Sequence, residues 1–129
     1  MNIGLDMMGG DFAPLETVKG AAEYLNTATA DIHLTLIGDE AQVKAHLINH
    51  PIAEEKFTIV HAAQVIEMNE HPTKALKEKQ QSSIAIGFQL LATGKIDAFI
   101  SAGNTGAMLV GALFSIKAID GVLRPTIST

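Results

Sequence analysis

The residues with the greatest capacity for chemistry form the run Ser101–Ala107, SAGNTGA, between the apolar stretch DAFI and the apolar stretch MLVGALFSIKAI. A tight turn requires one glycine. This run holds Gly103 and Gly106 together with an amide, Asn104, and two hydroxyls, Ser101 and Thr105. A helix starting just after these glycines would present unpaired N–H groups and the positive end of its dipole. Glycine lets an anion approach that backbone, so a phosphate or a developing oxyanion is the natural guest. The alternative is a turn in which Asn104 or Thr105 only caps the helix.

A second glycine-bearing loop, Met7–Phe12, reads MMGGDF. Asp6 and Asp11 flank its Gly9 and Gly10. These carboxylates could hold a metal, orient a lysine, or accept N–H bonds from the turn. Lys79 with Ser82 and Ser83 could supply charge and hydroxyls to an anion, or form a solvated helix end and a cap. Named nucleotide loops do not fit. Gly4 and Gly9 have the Walker spacing, but Gly10-Asp11 follows where Lys-Ser/Thr is needed. SAGNTG lacks the first glycine of the dinucleotide fingerprint. His46 and His50 have metal-pair spacing, yet no zincin glutamate follows His46 and no third ligand is evident. His61 and His71 pair with no nucleophile, and Ser101 lacks the G-x-S-x-G frame. Neither a metal nor a cofactor is expected.

The elements that must position these residues alternate. Asn2–Asp6, His33–Gly38, KFTIVHA and DAFIS read as strands. Helices are expected after Pro14, with Leu15, Val18, Ala22 and Leu25 on one face, and from the Asp39/Gln42 capping box to about Asn49. TKALKEK forms a short helix, Ser82 caps SIAIGFQLLATG with Gly94 as its stop, and Gly106–Ile116 is the last helix. RPTIST (124–129) reads as the start of a further strand. Alternation of this kind predicts a mostly parallel sheet with helices on its faces. Residues 1–129 are expected to be the N-terminal part of a single α/β domain.

Composition narrows the function classes. The 129 residues are 47% hydrophobic and 18% charged, the pattern of an ordered chain with one core. A net charge of -5 argues against a general nucleic-acid binder. No cysteine is present, which removes thiolate metal sites and a cysteine nucleophile. No basic and apolar signal segment opens the chain. The run from Ala98 to Ile116 is uncharged, but Ser101–Gly106 interrupts it, so a buried helix is expected there and not a membrane span.

Four segments, GLDMMGGDFAP, VIEMNEHPTKAL, KEKQQSSIAIG and DAFISAGNTGAMLVGALF, together resemble the bacterial acyl-ACP:phosphate acyltransferases of phospholipid synthesis. The resemblance covers the whole chain and about the first two-fifths of a family member. It implies a three-layer α/β/α sandwich related to isocitrate and isopropylmalate dehydrogenases, here truncated. It implies transfer of a long fatty acyl group from acyl carrier protein to orthophosphate, giving an acyl phosphate that a glycerol-3-phosphate acyltransferase consumes. It further implies a homodimer, cytoplasmic and peripherally attached to the membrane. The family commonly has K-K-D-S-S where this chain has Lys79-Gln80-Gln81-Ser82-Ser83, which leaves Lys79 to carry the charge. On this reading Asn104 and Lys79 are the catalytic candidates. Asp6, Gly9, Gly10, Asp11, Ser82, Ser83, Ser101, Gly103, Thr105 and Gly106 would hold substrate or phosphate. The competing expectations are a phosphotransacetylase-like transfer from acyl-CoA and a non-catalytic anion-binding or assembly module.

Overall fold

The computed structural model describes residues 1–27, 31–123 and 126. Strands β1 (Asn2–Asp6), β2 (His33–Gly38), β3 (Phe57–His61) and β4 (Ala98–Ile100) form one parallel sheet in the order β3-β2-β1-β4. Helices α1 (Leu15–Thr27), α2 (Glu40–Leu47), α3 (Pro72–Glu78), α4 (Ser83–Ala92) and α5 (Thr105–Ser115) connect or follow the strands. The expected α/β class is therefore the observed one. The strand expected at 124–129 falls, apart from Thr126, outside the described residues.

Side chains alternate across the sheet because successive residues of a strand point to opposite faces. Ile3, Leu5, Leu34, Leu36, Phe57 and Ile59 join one core with Val18, Ala21, Ala22 and Leu25 of α1 and Val43 of α2. Ile37, Val60 and Phe99 face the other way, against Ile86 and Leu90 of α4. The result is three layers, with α1 and α2 on one side and α4 on the other. Outside α4, a further apolar cluster ties Phe88 to Ala75 of α3 and Ala107 of α5. Gly111 exists for this packing, since any Cβ there would collide with the Phe88 ring.

The caps follow the sequence closely. Asp39 accepts from the Gln42 N–H at 2.9 Å and Ser82 from Ala85 N–H at 3.3 Å. Several boundaries differ from expectation, α5 among them, which runs Thr105–Ser115 in place of Gly106–Ile116. Helix α2 stops at Leu47, and Asn49 and His50 make i→i−3 bonds ahead of Pro51. Helix α3 begins one residue early, at Pro72, whose missing N–H suits a first helical position. Strand β4 is only three residues long. Asp97 is spent on Asn2, whose N–H donates to its carboxylate at 2.7 Å, and Ser101 turns toward β1.

Helix α5 is apolar but covered on one side only. Ala107 and Gly111 are buried, whereas Phe114 and Ile116 are exposed. An apolar groove of about 470 Å³ runs between α1 and the sheet, lined by Leu5, Leu34, Ile100, Gly20 and Tyr24 among others. It lies on the α1 face of the sheet. No helix of the described residues is long and apolar enough to cross a membrane.

Candidate functional site

The strand order changes direction at β1. The chain steps outward from β1 to β2 and β3, then crosses back to place β4 on the other side of β1. Ligands of parallel α/β sheets bind beyond the carboxyl ends of the strands at such a point. The loops at that position are the two glycine-bearing loops singled out in the sequence.

They are fastened together by Asp6, the last residue of β1 and almost fully buried. Its Oδ1 accepts the Met8 N–H at 2.9 Å, which shapes the first loop. Its Oδ2 accepts the Ser101 hydroxyl at 2.6 Å, and the Ser101 Oγ in turn accepts the Gly103 N–H at 3.0 Å. Gly9 fills the gap between the loops. A Cβ at Gly9 would stand 2.7 Å from both Asp6 Oδ2 and the Gly103 nitrogen. Gly10 has φ +105, a left-handed conformation that side-chain-bearing residues rarely adopt. Of the three roles open to Asp6, the geometry realises turn organisation. Asp11 is exposed in the loop.

Asn104 caps α5, its Oδ1 accepting the Ala107 N–H at 2.9 Å. The opposite end of its amide faces a bend in the segment Glu67–Glu70. Nδ2 donates to the Glu67 carbonyl at 2.9 Å and the Glu70 carbonyl at 3.1 Å, with the Met68 carbonyl at 3.4 Å. Asn104 is buried, so these bonds are made away from bulk water. Its donors are occupied, which makes it a positioning residue for the loop. The cap satisfies the Ala107 amide and leaves those of Thr105 and Gly106, the first two residues of α5, at the open end of the helix. Gly106 also has a packing reason, since a Cβ there would strike Pro72 of α3.

Lys79 lies just past α3. Its ammonium donates to Glu70 Oε2 at 2.6 Å and to the Val65 carbonyl at 2.7 Å. Among the described residues its carboxylate partner is thus Glu70, and the pairing with Asp6 or Asp11 considered from sequence is not formed. The Lys79 bond is the main reason the Glu70 carboxyl sits below the usual glutamate value, and the Glu67 N–H, donating at 2.7 Å, adds to it. Ser82 and Ser83 are buried at the start of α4, with Ser82 spent on the cap. Gln81, where an acid was expected from the family pattern, donates its N–H to the Gln64 side chain.

Glu70 is the residue that sequence reasoning missed. The visible signal was Glu67 and Glu70 three apart in VIEMNEHPTKAL, a spacing that lets a carboxylate close a turn on a backbone N–H. No helical or strand period runs through this segment to show which way the acid points.

A parallel sheet with two interlocked glycine loops at its switch point, directly ahead of the α5 N-terminus, defines an α/β protein whose candidate site lies beyond the carboxyl ends of its strands. Comparison with known proteins narrows the class. The model of the fatty acid synthesis protein family matches residues 1–129, and the chain belongs to that family. It is 49% identical over 129 residues to a phosphate acyltransferase of Dictyoglomus turgidum, covering all of this chain and 38% of that protein. Proteins of the same name from Dictyoglomus thermophilum and Herpetosiphon aurantiacus are 46% and 44% identical over the whole chain, with 38% and 34% of their lengths covered. The chain therefore spans less than two-fifths of these relatives.

Proposed function

We propose that this chain carries the phosphate-holding part of a phosphate acyltransferase, which transfers a long-chain fatty acyl group from acyl carrier protein to orthophosphate. The observation that carries the reading is the junction of the two glycine loops through Asp6, Ser101 and Gly103, directly ahead of the α5 N-terminus. Its support from relatives is the shared name, which includes phosphate.

The chemistry asks for positioning and charge stabilisation more than for a base. Phosphate is substantially dianionic near neutral pH, as monoesters are with a second pKa of about 6. One of its oxygens attacks the thioester carbonyl carbon. The C–S bond then breaks, the thiolate leaves and takes a proton from solvent, and an acyl phosphate remains. In this reading the amides of Thr105 and Gly106 and the α5 dipole hold phosphate or the oxyanion, while Lys79 balances charge. Gly9, Gly10 and Gly103 allow the backbone to approach. Asp6, Ser101 and Asn104 hold the loops, and Ser82 and Ser83 anchor α4 beside Lys79. The protein works as a cytoplasmic, peripherally membrane-attached homodimer, and its product feeds a glycerol-3-phosphate acyltransferase.

The test is release of free carrier protein from palmitoyl-carrier protein by the complete reading frame that encodes these residues. Release that requires orthophosphate and yields acyl phosphate is the expected result. Release with palmitoyl-CoA alone would move the donor to a coenzyme A thioester. No release with either donor, from a folded protein, would overturn the reading.

A further inference from the structure

The segment Val65–Glu70 has no part in the loop junction, yet it touches both the lysine and the asparagine that border it. Glu70 makes three contacts through two atoms, its Oε2 and its carbonyl oxygen. Its carboxylate accepts Lys79 Nζ at 2.6 Å and the Glu67 N–H at 2.7 Å, and its carbonyl accepts Asn104 Nδ2 at 3.1 Å. Lys79 therefore reaches the α5 cap through one residue. An ammonium has three donors, and the structure fixes two of them, on Glu70 Oε2 and on the Val65 carbonyl. A four-carbon stem is otherwise flexible and costs rotamer entropy when it must be held in place.

We infer that Glu70 is a positioning residue that acts through Lys79. It fixes the ammonium on the residue whose carbonyl also holds the α5 cap, and leaves the third N–H for a phosphate oxygen. Gln81, two residues after this lysine, carries no charge, and Glu70 supplies the carboxylate from nine residues upstream. The inference rests on the phosphate-holding reading given above. The pair is partly exposed, with about 30% of each side chain in solvent, so an incoming anion can reach the free donor. Lys79 and the Glu67 N–H hold the Glu70 carboxyl below its ordinary value, so the pair persists to lower pH than a free glutamate would allow.

The test is a double-mutant cycle in the complete reading frame, with E70A, K79A, the double variant and E70Q. Two readouts are taken, the KM and kcat for orthophosphate, and the Kd for inorganic phosphate by calorimetry. Loss of a charge-assisted hydrogen bond predicts about a tenfold fall in kcat/KM for K79A and a comparable fall for E70A. Because Glu70 acts through Lys79, E70A should add nothing in the K79A background. E70Q, whose amide oxygen still accepts from Lys79 and Glu67, should recover most of the E70A loss. Additive effects of E70A and K79A, in either readout, would make Glu70 a support for the 67–70 bend alone and overturn the inference. Phosphate-dependent turnover or phosphate binding in the wild type tests the underlying reading separately, since the cycle compares variants only with one another.

Discussion

Ser101 donates its hydroxyl to the Asp6 carboxylate at 2.6 Å, joining residues 95 positions apart in the chain. The bond crosses from the end of β4 to the end of β1, neighbours in the sheet. Asp6 is buried and is the acceptor for a backbone N–H of each loop, directly at Met8 and through Ser101 at Gly103. Replacing it with Ala leaves those donors unpaired. D6A should cost about 3 kcal/mol of stability and S101A about 1 kcal/mol. The double variant should cost less than the sum, because both act on one network. Urea denaturation of the four proteins checks this, and strict additivity would deny the coupling.

Gly9 and Gly20 make a matched pair of tests. A methyl group at Gly9 meets Asp6 Oδ2 and the Gly103 nitrogen at 2.7 Å, so G9A must push the loops apart. It should lose about 1–3 kcal/mol, in the range of overpacked sites. Gly20 sits within α1 and nothing lies within 4 Å of its added methyl. G20A should gain about 0.5–1 kcal/mol from helix propensity. Thermal melts of both variants decide; equal effects would contradict the geometry.

Asn104→Asp separates the two ends of that side chain. Aspartate keeps an acceptor for the Ala107 N–H, so the α5 cap survives. It loses the Nδ2 donor and sets a carboxylate against the carbonyls of Glu67 and Glu70. Amide exchange should therefore quicken at residues 67–70 by about tenfold or more, with α5 less affected. Unchanged exchange across 67–70 would show that the bend holds without Asn104.

The pH dependence of the Glu70–Lys79 pair has a definite sign. Lys79 first, and the Glu67 N–H second, hold the Glu70 carboxyl below its ordinary value of 4.5. As pH falls, the unfolded chain takes up the proton before the folded one does. The pair's contribution is thus fully present above about pH 4.5 and is lost as pH falls through the lower folded value. The stability difference between wild type and E70Q should be constant above pH 5 and shrink below it. A difference that grows toward pH 3 would contradict the assignment.

Much of the architecture was legible because its signals are local. Asp39 with Gln42, and Ser82 ahead of SIAIG, announce helix starts that the structure reproduces. The apolar residues of HLTLIG mark a strand, and the structure buries both of its faces. The site was legible only as loops. That β4 lies beside β1 follows from pairing across more than ninety residues, which no window of sequence contains. The packing role of Gly106 against Pro72 and the choice of Glu70 over Asp6 as partner for Lys79 are likewise tertiary facts. Asn104 shows the intermediate case. Its capping position was readable, but the three carbonyls that occupy its Nδ2 come from a segment without any periodicity to place it.

The central claim is that the open end of α5 receives phosphate. The most direct measurement is a titration of the 15N-labelled protein, from its complete reading frame, with orthophosphate while the amide resonances are followed. The account predicts saturable shifts at Gly103, Thr105 and Gly106, with smaller shifts at Gly9 and Gly10 across the junction. Saturable shifts confined to other residues, or none at all from a protein that turns over with orthophosphate, would contradict it.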